Sequence, residues 1–348
     1  NLKFKNFLNL KDFLPDIGKY IIFKNQKIKF EYNKNNFSIF GKGEAFLQNE
    51  IDKIEYKINK KDDEVKFNSK LKILKNLLKI DLLNYEKNKN SELELIFAGK
   101  NILKKELLFT EISLKEKNNI ISIKNLNLSK DNKINDFGNV IIKLIDTEDL
   151  KNNLKLTKKD KDYLVSGKSF NINKIINQLL ESENKDELKF FNKDFKINFD
   201  IDRVYLDKDN LISNLKGFLF LNKNEISELN LESKFSNNKN IKFTIKDKGN
   251  EKITTLYSHK AKPFVDRYKF IKGFEEGDLD FYSIKKNGLA KSTLKIDNFK
   301  VQEIPVLAKL LTLASLQGIA DLLTGEGIRF TDFEMKFSSK NESCNFDF

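Results

Sequence analysis

The stretch KIKFEYN, Lys27–Asn33, decides the fold. Ile28, Phe30 and Tyr32 alternate there with Lys27, Lys29 and Glu31. A period of two turns one set of side chains toward apolar contacts and the other toward water, which is the pattern of a half-buried strand. The rhythm recurs at Phe37 and Ile39, then at Ile54, Tyr56 and Ile58. It returns at Leu93, Leu95 and Phe97, at Ile112 and Leu114, at Ile121 and Ile123, and at Val140, Ile142 and Leu144. Polar turns such as KNKNS, EKNN and KDN separate the runs. Short strands joined by tight turns make an antiparallel meander. There is no alternation of strand with helix, so a doubly wound parallel sheet is not expected.

Several stretches break the rhythm. Leu10–Tyr20 reads as a short helical or coil start, broken near Pro15. In SFNINKIINQLLESENKDE (Ser169–Glu187), Asn171 or Asn173 suits the cap of a helix carrying Ile175, Ile176, Leu179 and Leu180, and ESENKDE is a polar linker. Strand resumes at FKINFDIDRVYL (Phe195–Leu206), where Phe195, Ile197, Phe199 and Ile201 alternate. A further helix is expected over Lys262–Ile271, with Pro263 in its first turn.

The longest apolar run is FKVQEIPVLAKLLTLASLQGIADLLTGEGIRF, Phe299–Phe330. Pro305 suits a helical first turn, and Leu307, Leu310, Leu311 and Ala314 then share one face. Ser315 suits the cap of a second short helix with Ile319, Leu322 and Leu323 as its apolar side, and Gly325 and Gly327 supply the stop. Lys309, Gln317 and Asp321 interrupt the run, so it is not read as a membrane span. The expectation is a helical hairpin over residues 305–323. It either caps a core or serves as a plug or interfacial foot on a lipid-handling surface, with Leu307, Leu311 and Leu322 in contact.

Roughly twenty strands in one sheet, at ~4.8 Å each, would extend on the order of 100 Å. Open sheets of that size curl or split into packed halves. A curled sheet with one apolar concave face makes a gutter, whereas two β-sandwiches would bury the same positions in their cores. The periodicity leaves both open. The expected organisation is an antiparallel β segment over 1–162, a helix and polar linker over 163–190, and a second β segment over 191–348, with helices near 262–271 and 305–323.

Composition narrows the function. Hydrophobic residues make up 39% of the chain, enough for a sizeable buried face, and 31 Phe against 3 Pro favours long uninterrupted strands. Cys344 is the single cysteine, so there is no internal disulfide framework. The net charge of +13 raises nucleic acid or an anionic membrane as a partner. Its carriers, however, are nearly all lysines interleaved with apolar residues and carboxylates, which reads as a solvated strand face. Arg203, Arg267 and Arg329 are the only arginines, and no nucleic-acid-binding signature is present. His259 is the only histidine and has no accompanying nucleophile motif. No paired-cysteine or two-histidine metal spacing exists. GKG (Gly41–Gly43) and GEG (Gly325–Gly327) lack the rest of a phosphate loop, and DKDN (Asp207–Asn210) puts Leu211 where a calcium loop needs a ligand. The reading is therefore a non-enzymatic protein without catalytic residues, cofactor or metal. No signal peptide is present, and the chain opens on Asn1 and closes on the strand-like CNFDF, so it is expected to be a piece of a longer protein.

The C-terminal third resembles the AsmA-like superfamily, in its YhdP-type branch of Gram-negative bacteria. IDNFKVQEIPVLAKLLTLASLQGIADLLTGEGIRFTDFE, Ile296–Glu334, carries the likeness. It has a strand ending in Phe, a Pro-Val-Leu helix, a Ser-Leu-Gln-Gly step and Leu-x-Gly-x-Gly-Ile-x-Phe. FDIDRVYL with SNLKG (Ser213–Gly217) and AKPFVDRYKFIKGFEEGDLDF (Ala261–Phe281) look similar, and YLVSGKSFNINKIINQLL (Tyr163–Leu180) does so more loosely. The likeness covers residues 163–348 and is weak over 1–162. Members usually have an N-terminal membrane anchor and further strands after this region, and neither is in this chain. The resemblance implies a bridge-like β groove in the periplasm, anchored in the inner membrane, that carries phospholipids toward the outer membrane. It favours the gutter over the sandwiches.

Under that reading phospholipid acyl chains are the partner, with membrane contact through flanking segments. The lining residues are expected to be Phe30, Ile39, Leu95, Phe97, Ile123, Ile142, Leu144, Phe199 and Ile201. A second expectation is an envelope assembly or structural factor that binds a protein partner through its sheet edges.

Overall fold

The computed structural model describes residues 2–5, 10–34, 36–102, 105–131, 133–181, 193–222, 225–267, 272–303, 327–340 and 343–347. The chain divides into two compact units, Asn1–Ile197 with Asn222–Asn224, and Asn198–Leu221 with Glu225–Phe348.

In the first unit the alternating runs become strands β1 (Leu2–Lys5), β2 (Tyr20–Asn33), β3 (Asn36–Phe46), β4 (Ile51–Lys61) and β5 (Glu64–Ile73). The two-residue strands β6 (Lys79–Ile80) and β7 (Tyr85–Glu86) form a separate small pair. Next come β8 (Leu93–Ile102), β9 (Glu106–Glu116), β10 (Asn119–Ser129), β11 (Ile134–Asp136), β12 (Asn139–Ile145), β13 (Lys151–Lys159) and β14 (Asp162–Asn171). Antiparallel ladders join β1 to β2 and run on through β3, β4, β5, β8, β9, β10, β12, β13 and β14, while β11 also pairs with β10. No ladder among the described residues closes β14 onto β1 or β2, so the unit is an open meander. Helix α1 (Asn173–Glu181) follows β14, and the Asn171 side chain accepts the Asn173 amide at 3.0 Å. Of the two asparagines expected at the cap, Asn171 makes this bond just ahead of the helix and Asn173 is the first helical residue. The ESENKDE linker lies outside the described residues.

Strands β15 (Phe195–Tyr205) and β16 (Leu211–Asn222), which lie in the second unit from Asn198 to Leu221, are joined by a turn at Asp207–Asn210. The Asp207 carboxylate accepts the backbone amides of Asp209 and Asn210, which makes this acidic stretch a tight turn. Strands β17 (Glu225–Lys234), β18 (Asn240–Asp247), β19 (Glu251–Ser258), β20 (Lys272–Lys286), β21 (Leu289–Glu303), β22 (Ile328–Lys340) and β23 (Ser343–Asp347) pair in chain order, all antiparallel. Helix α2 is short, Lys262–Val265, with Pro263 in its first turn. The helix ends at Val265, and residues 268–271 of the helix expected from sequence lie outside the described residues. Arg267, two residues beyond the helix, donates to the Leu206 carbonyl at 2.6 Å.

Two expectations need restating. The protein is mainly β and antiparallel, but the strongly curled groove is not seen. Part of the burial that curling would have supplied comes from inserted segments packed on the sheet, described below. The helical hairpin over 305–323, with Leu307, Leu311 and Leu322, lies outside the described residues.

Candidate functional site: a one-sided apolar face

Residues paired across an antiparallel ladder point to the same side of the sheet. Following the registers of the first unit therefore identifies its faces. Phe30 pairs with Ile39, Ile39 with Ile58, Ile58 with Phe67 and Phe67 with Gly99. Phe97 pairs with Ile112, Ile112 with Ile123, Ile123 with Val140 and Val140 with Leu156. Leu95 pairs with Leu114, Leu114 with Ile121, Ile121 with Ile142 and Ile142 with Leu154. One face is apolar from β2 to β14. All seven lining candidates of this unit, Phe30, Ile39, Leu95, Phe97, Ile123, Ile142 and Leu144, lie on it.

The opposite face is ionic. Lys29 meets Glu31 at 2.7 Å, Lys70 meets Glu94 at 2.7 Å, and Glu64 holds Lys66 and Lys100 at 3.2 and 3.0 Å. Exposed pairs of this kind add little stability, but they keep the sheet in water. Here the lysine excess of the sequence is a solvated strand face.

The apolar face is closed at one end of its strands. Leu14 and Ile17 from the segment before β2, and Leu78 and Tyr85 from the excursion between β5 and β8, pack over Ile73, Leu93, Leu114 and Leu144. This closure sorts the candidates. Leu144 is core at 3% exposure, while Leu95 and Ile142 pack on the rim of that core. Ile39, Phe97 and Ile123 are half-buried beyond it, and Phe30 stands 59% exposed. Phe67, Phe109 and Ile112 belong with this outer group, although the sequence reading did not pick them out as lining residues. Phe67 lies over Gly99, where a Cβ would meet the Leu108 carbonyl at 2.2 Å before the Phe67 ring at 3.0 Å, and Phe67 meets Phe109 edge-on at 5.6 Å. Tyr56 likewise lies across Gly41, where a Cβ would fall 2.3 Å from the ring, and so reaches Phe23 at 6.0 Å. Burial pushes the Tyr56 hydroxyl pKa up. Gly41 of the GKG triplet thus leaves room for a ring to lie on the sheet, while Gly99 is needed for the close approach of the neighbouring backbone.

A buried polar cluster holds the closing excursion in place. Asp52 on β4 is 0% exposed and accepts the Leu74 amide at 3.1 Å and the Asn76 side chain at 2.7 Å. Lys87, 2% exposed, donates to the carbonyls of Leu74 at 2.8 Å and Asn88 at 3.0 Å. Glu116 at the end of β9 accepts from the Tyr85 hydroxyl at 2.7 Å, the Asn88 amide at 2.8 Å and the Ser91 hydroxyl. Burial raises the Asp52 carboxyl and lowers the Lys87 ammonium. Burial also works against the Glu116 carboxylate, yet the hydrogen bonds from Ser91, Tyr85 and Asn88 outweigh it and hold Glu116 below its ordinary range. Lys87 and Ser91 come from KNKNS, which reads as a plain polar turn in sequence. Nothing in its pattern announces a buried lysine.

The second unit has its own apolar face. Leu231 pairs with Phe243, Phe243 with Leu256, Leu256 with Phe281, Phe281 with Leu294 and Leu294 with Met335. Its closed end is built by Ala261, Phe264 and Val265 over Phe274, Leu279, Ile296 and Phe299. Phe299 stacks between Phe274 at 5.2 Å and Phe330 at 5.1 Å, across three neighbouring strands. On β15, Ile201 is buried at 3% and Phe199 is half-buried. His259 is a staple: its Nδ1 accepts the Asn240 amide at 3.1 Å and its Nε2 meets the Tyr257 hydroxyl at 2.9 Å. Among the described residues no group of His, Cys, Asp and Glu is placed to hold a metal, and no helix is long and apolar enough to cross a membrane.

Comparison with family models, with curated proteins and with solved structures returns no match to this chain.

Proposed function

We propose that the chain is a non-enzymatic lipid-carrying segment that shelters acyl chains on the apolar face of its first unit. The observation that carries this is the outer part of that face. Ile39, Phe97 and Ile123 are apolar, laterally continuous and only half-buried, and Phe30 is largely in water. Each acyl CH₂ moved from water onto such a surface gains ~0.8 kcal/mol, so a chain in transit needs no bilayer around it. A headgroup requires no pocket, because it remains in water. The ionic opposite face suits a bearer that works in an aqueous compartment. The likeness of Ile296–Glu334 to the AsmA-like superfamily points the same way. It extends the proposal to a periplasmic protein anchored in the inner membrane that passes phospholipids toward the outer membrane. Phe199 and Ile201 would belong to the equivalent surface of the second unit.

The test replaces Ile39, Phe97 and Ile123 together with Lys. Phospholipid recovered with the purified protein, measured by mass spectrometry, is expected to fall several-fold while the circular dichroism spectrum stays that of a sheet. Lipid recovery equal to the parent protein's, with folding intact, would refute the proposal. Loss of folding in the triple variant would make these residues ordinary core.

A further inference from the structure

On the face of the first unit opposite the apolar one, carboxylates accompany the lysines of β5 and β8, as at Lys70–Glu94 and Lys100–Glu64. Strands β10, β12 and β13 differ: they contain no Asp or Glu at all. They lie inside the sheet, between β9 and β14. Ile142 and Leu144 belong to the apolar face, so Ile141, Lys143 and Ile145 project from the other. The registers set Lys155 beside Ile141, Lys151 beside Ile145, and Ile120 beside Lys143. Ile141 is 41% exposed and Ile145 is 47% exposed, and Lys143, Lys151 and Lys155 stand exposed around them. No ion pair engages these three lysines among the described residues.

Cations without carboxylates, interleaved with exposed isoleucines, complement the surface of an anionic bilayer. The apolar tips enter the boundary between headgroups and acyl chains, while lysine stems lie along it and their ammonium groups reach the phosphates. The three strands contain no Arg and no aromatic residue, so they offer a nucleic acid neither a bidentate phosphate contact nor a stacking platform. We infer that this face of β10, β12 and β13 docks on an anionic phospholipid bilayer. Ile141 and Ile145 enter the boundary layer, and Lys143, Lys151 and Lys155 meet lipid phosphates. Docked in this way, the unit turns its apolar face away from the bilayer. The inference is independent of the lipid-carrying reading, since it rests on the opposite face.

The test sediments the full chain with vesicles of phosphatidylcholine, alone or mixed with an equal part of phosphatidylglycerol. Binding is expected to favour the anionic vesicles strongly and to weaken with added salt. Each lysine close to an anionic surface strengthens binding roughly fivefold, so replacing Lys143, Lys151 and Lys155 together with Gln is expected to weaken it on the order of a hundredfold. Ile141→Ser with Ile145→Ser is expected to weaken it several-fold at unchanged charge. Replacing Lys66, Lys70 and Lys100 with Gln removes the same charge from the carboxylate-bearing part of the face and is expected to cost far less. If the first triple variant does not fold, its three single variants, each expected to bind roughly fivefold more weakly, decide the same question. Absence of binding to the anionic vesicles overturns the inference. So do two lysine triples that weaken binding equally, or serine variants that bind like the parent. A soluble polyanion such as heparin, bound as tightly as the vesicles and with the isoleucines irrelevant, would also overturn it.

Discussion

Replacing Lys87 with Met tests whether charge holds the closing excursion of the first unit in place. Lys87 is 2% exposed, and its ammonium satisfies the carbonyls of Leu74 and Asn88. Asp52 and Glu116, at 0% and 2% exposure, are its charged neighbours. Methionine fills the same volume but leaves two carbonyls without their donor and two carboxylates without a cation. Breaking a buried ionic arrangement from one side costs about 3–5 kcal/mol. At 1.4 kcal/mol per decade that corresponds to opening of the excursion favoured by roughly two to three and a half orders of magnitude. Amide hydrogen exchange at neutral pH reads this directly. The protected amides of Leu74, Lys87 and Asn88 should exchange at least a hundredfold faster, while those of the β3–β4 ladder change little. Adding Asp52→Asn should recover part of the loss, because it removes one of the stranded charges. Leu74 and Asn88 amides slowed to the parent rate in Lys87→Met would refute the reasoning. The excursion would then be held by Leu78 and Tyr85 packing alone.

Phe299→Ala, which empties a position stacked on both sides and only 7% exposed, is expected to cost about 3–5 kcal/mol in chemical denaturation of the second unit. Gly41→Ala should cost about 1–3 kcal/mol and swing Tyr56 away from Phe23, seen as a shift of the Tyr56 ring signals by NMR. The Glu116 carboxyl lies below its ordinary value of 4.5 in the folded protein, so protonation favours the unfolded chain. Its contribution is therefore complete above 4.5 and is lost as pH falls through the lower folded value. Thermal melts should fall with acidification below that point, and less so in Glu116→Gln, which takes the titrating group away.

The fold was legible because period-two alternation is a strong signal when repeated many times. Lys27–Asn33 alone gives a strand, and its recurrence gives a meander. The same parity explains why seven candidates, from Phe30 to Leu144, share one face: each was chosen as the apolar member of its own alternation, and antiparallel registers add those choices up. Depth along the strand was not legible. Leu144 and Ile123 look alike in sequence, yet one lies under Leu14 and Tyr85 and the other does not. That difference is made by segments distant in sequence, among them the unremarkable KNKNS turn. The Arg267 contact with the Leu206 carbonyl was not legible either, because it depends on tertiary placement.

The sealed end of the first unit's strands gives direction to anything lying on its greasy side. A hydrocarbon tail laid lengthwise would butt its methyl tip against the covered end, at the rim formed by Leu71, Leu95 and Ile142, with its wetter head toward the opposite rim. It would have no room to slide farther that way. Sideways travel, from one strand to its neighbour in steps of ~4.8 Å, meets no such stop. If acyl chains lie on this face as proposed, they would therefore shuffle broadside, like a rung carried along a rail, with the head always on the same flank.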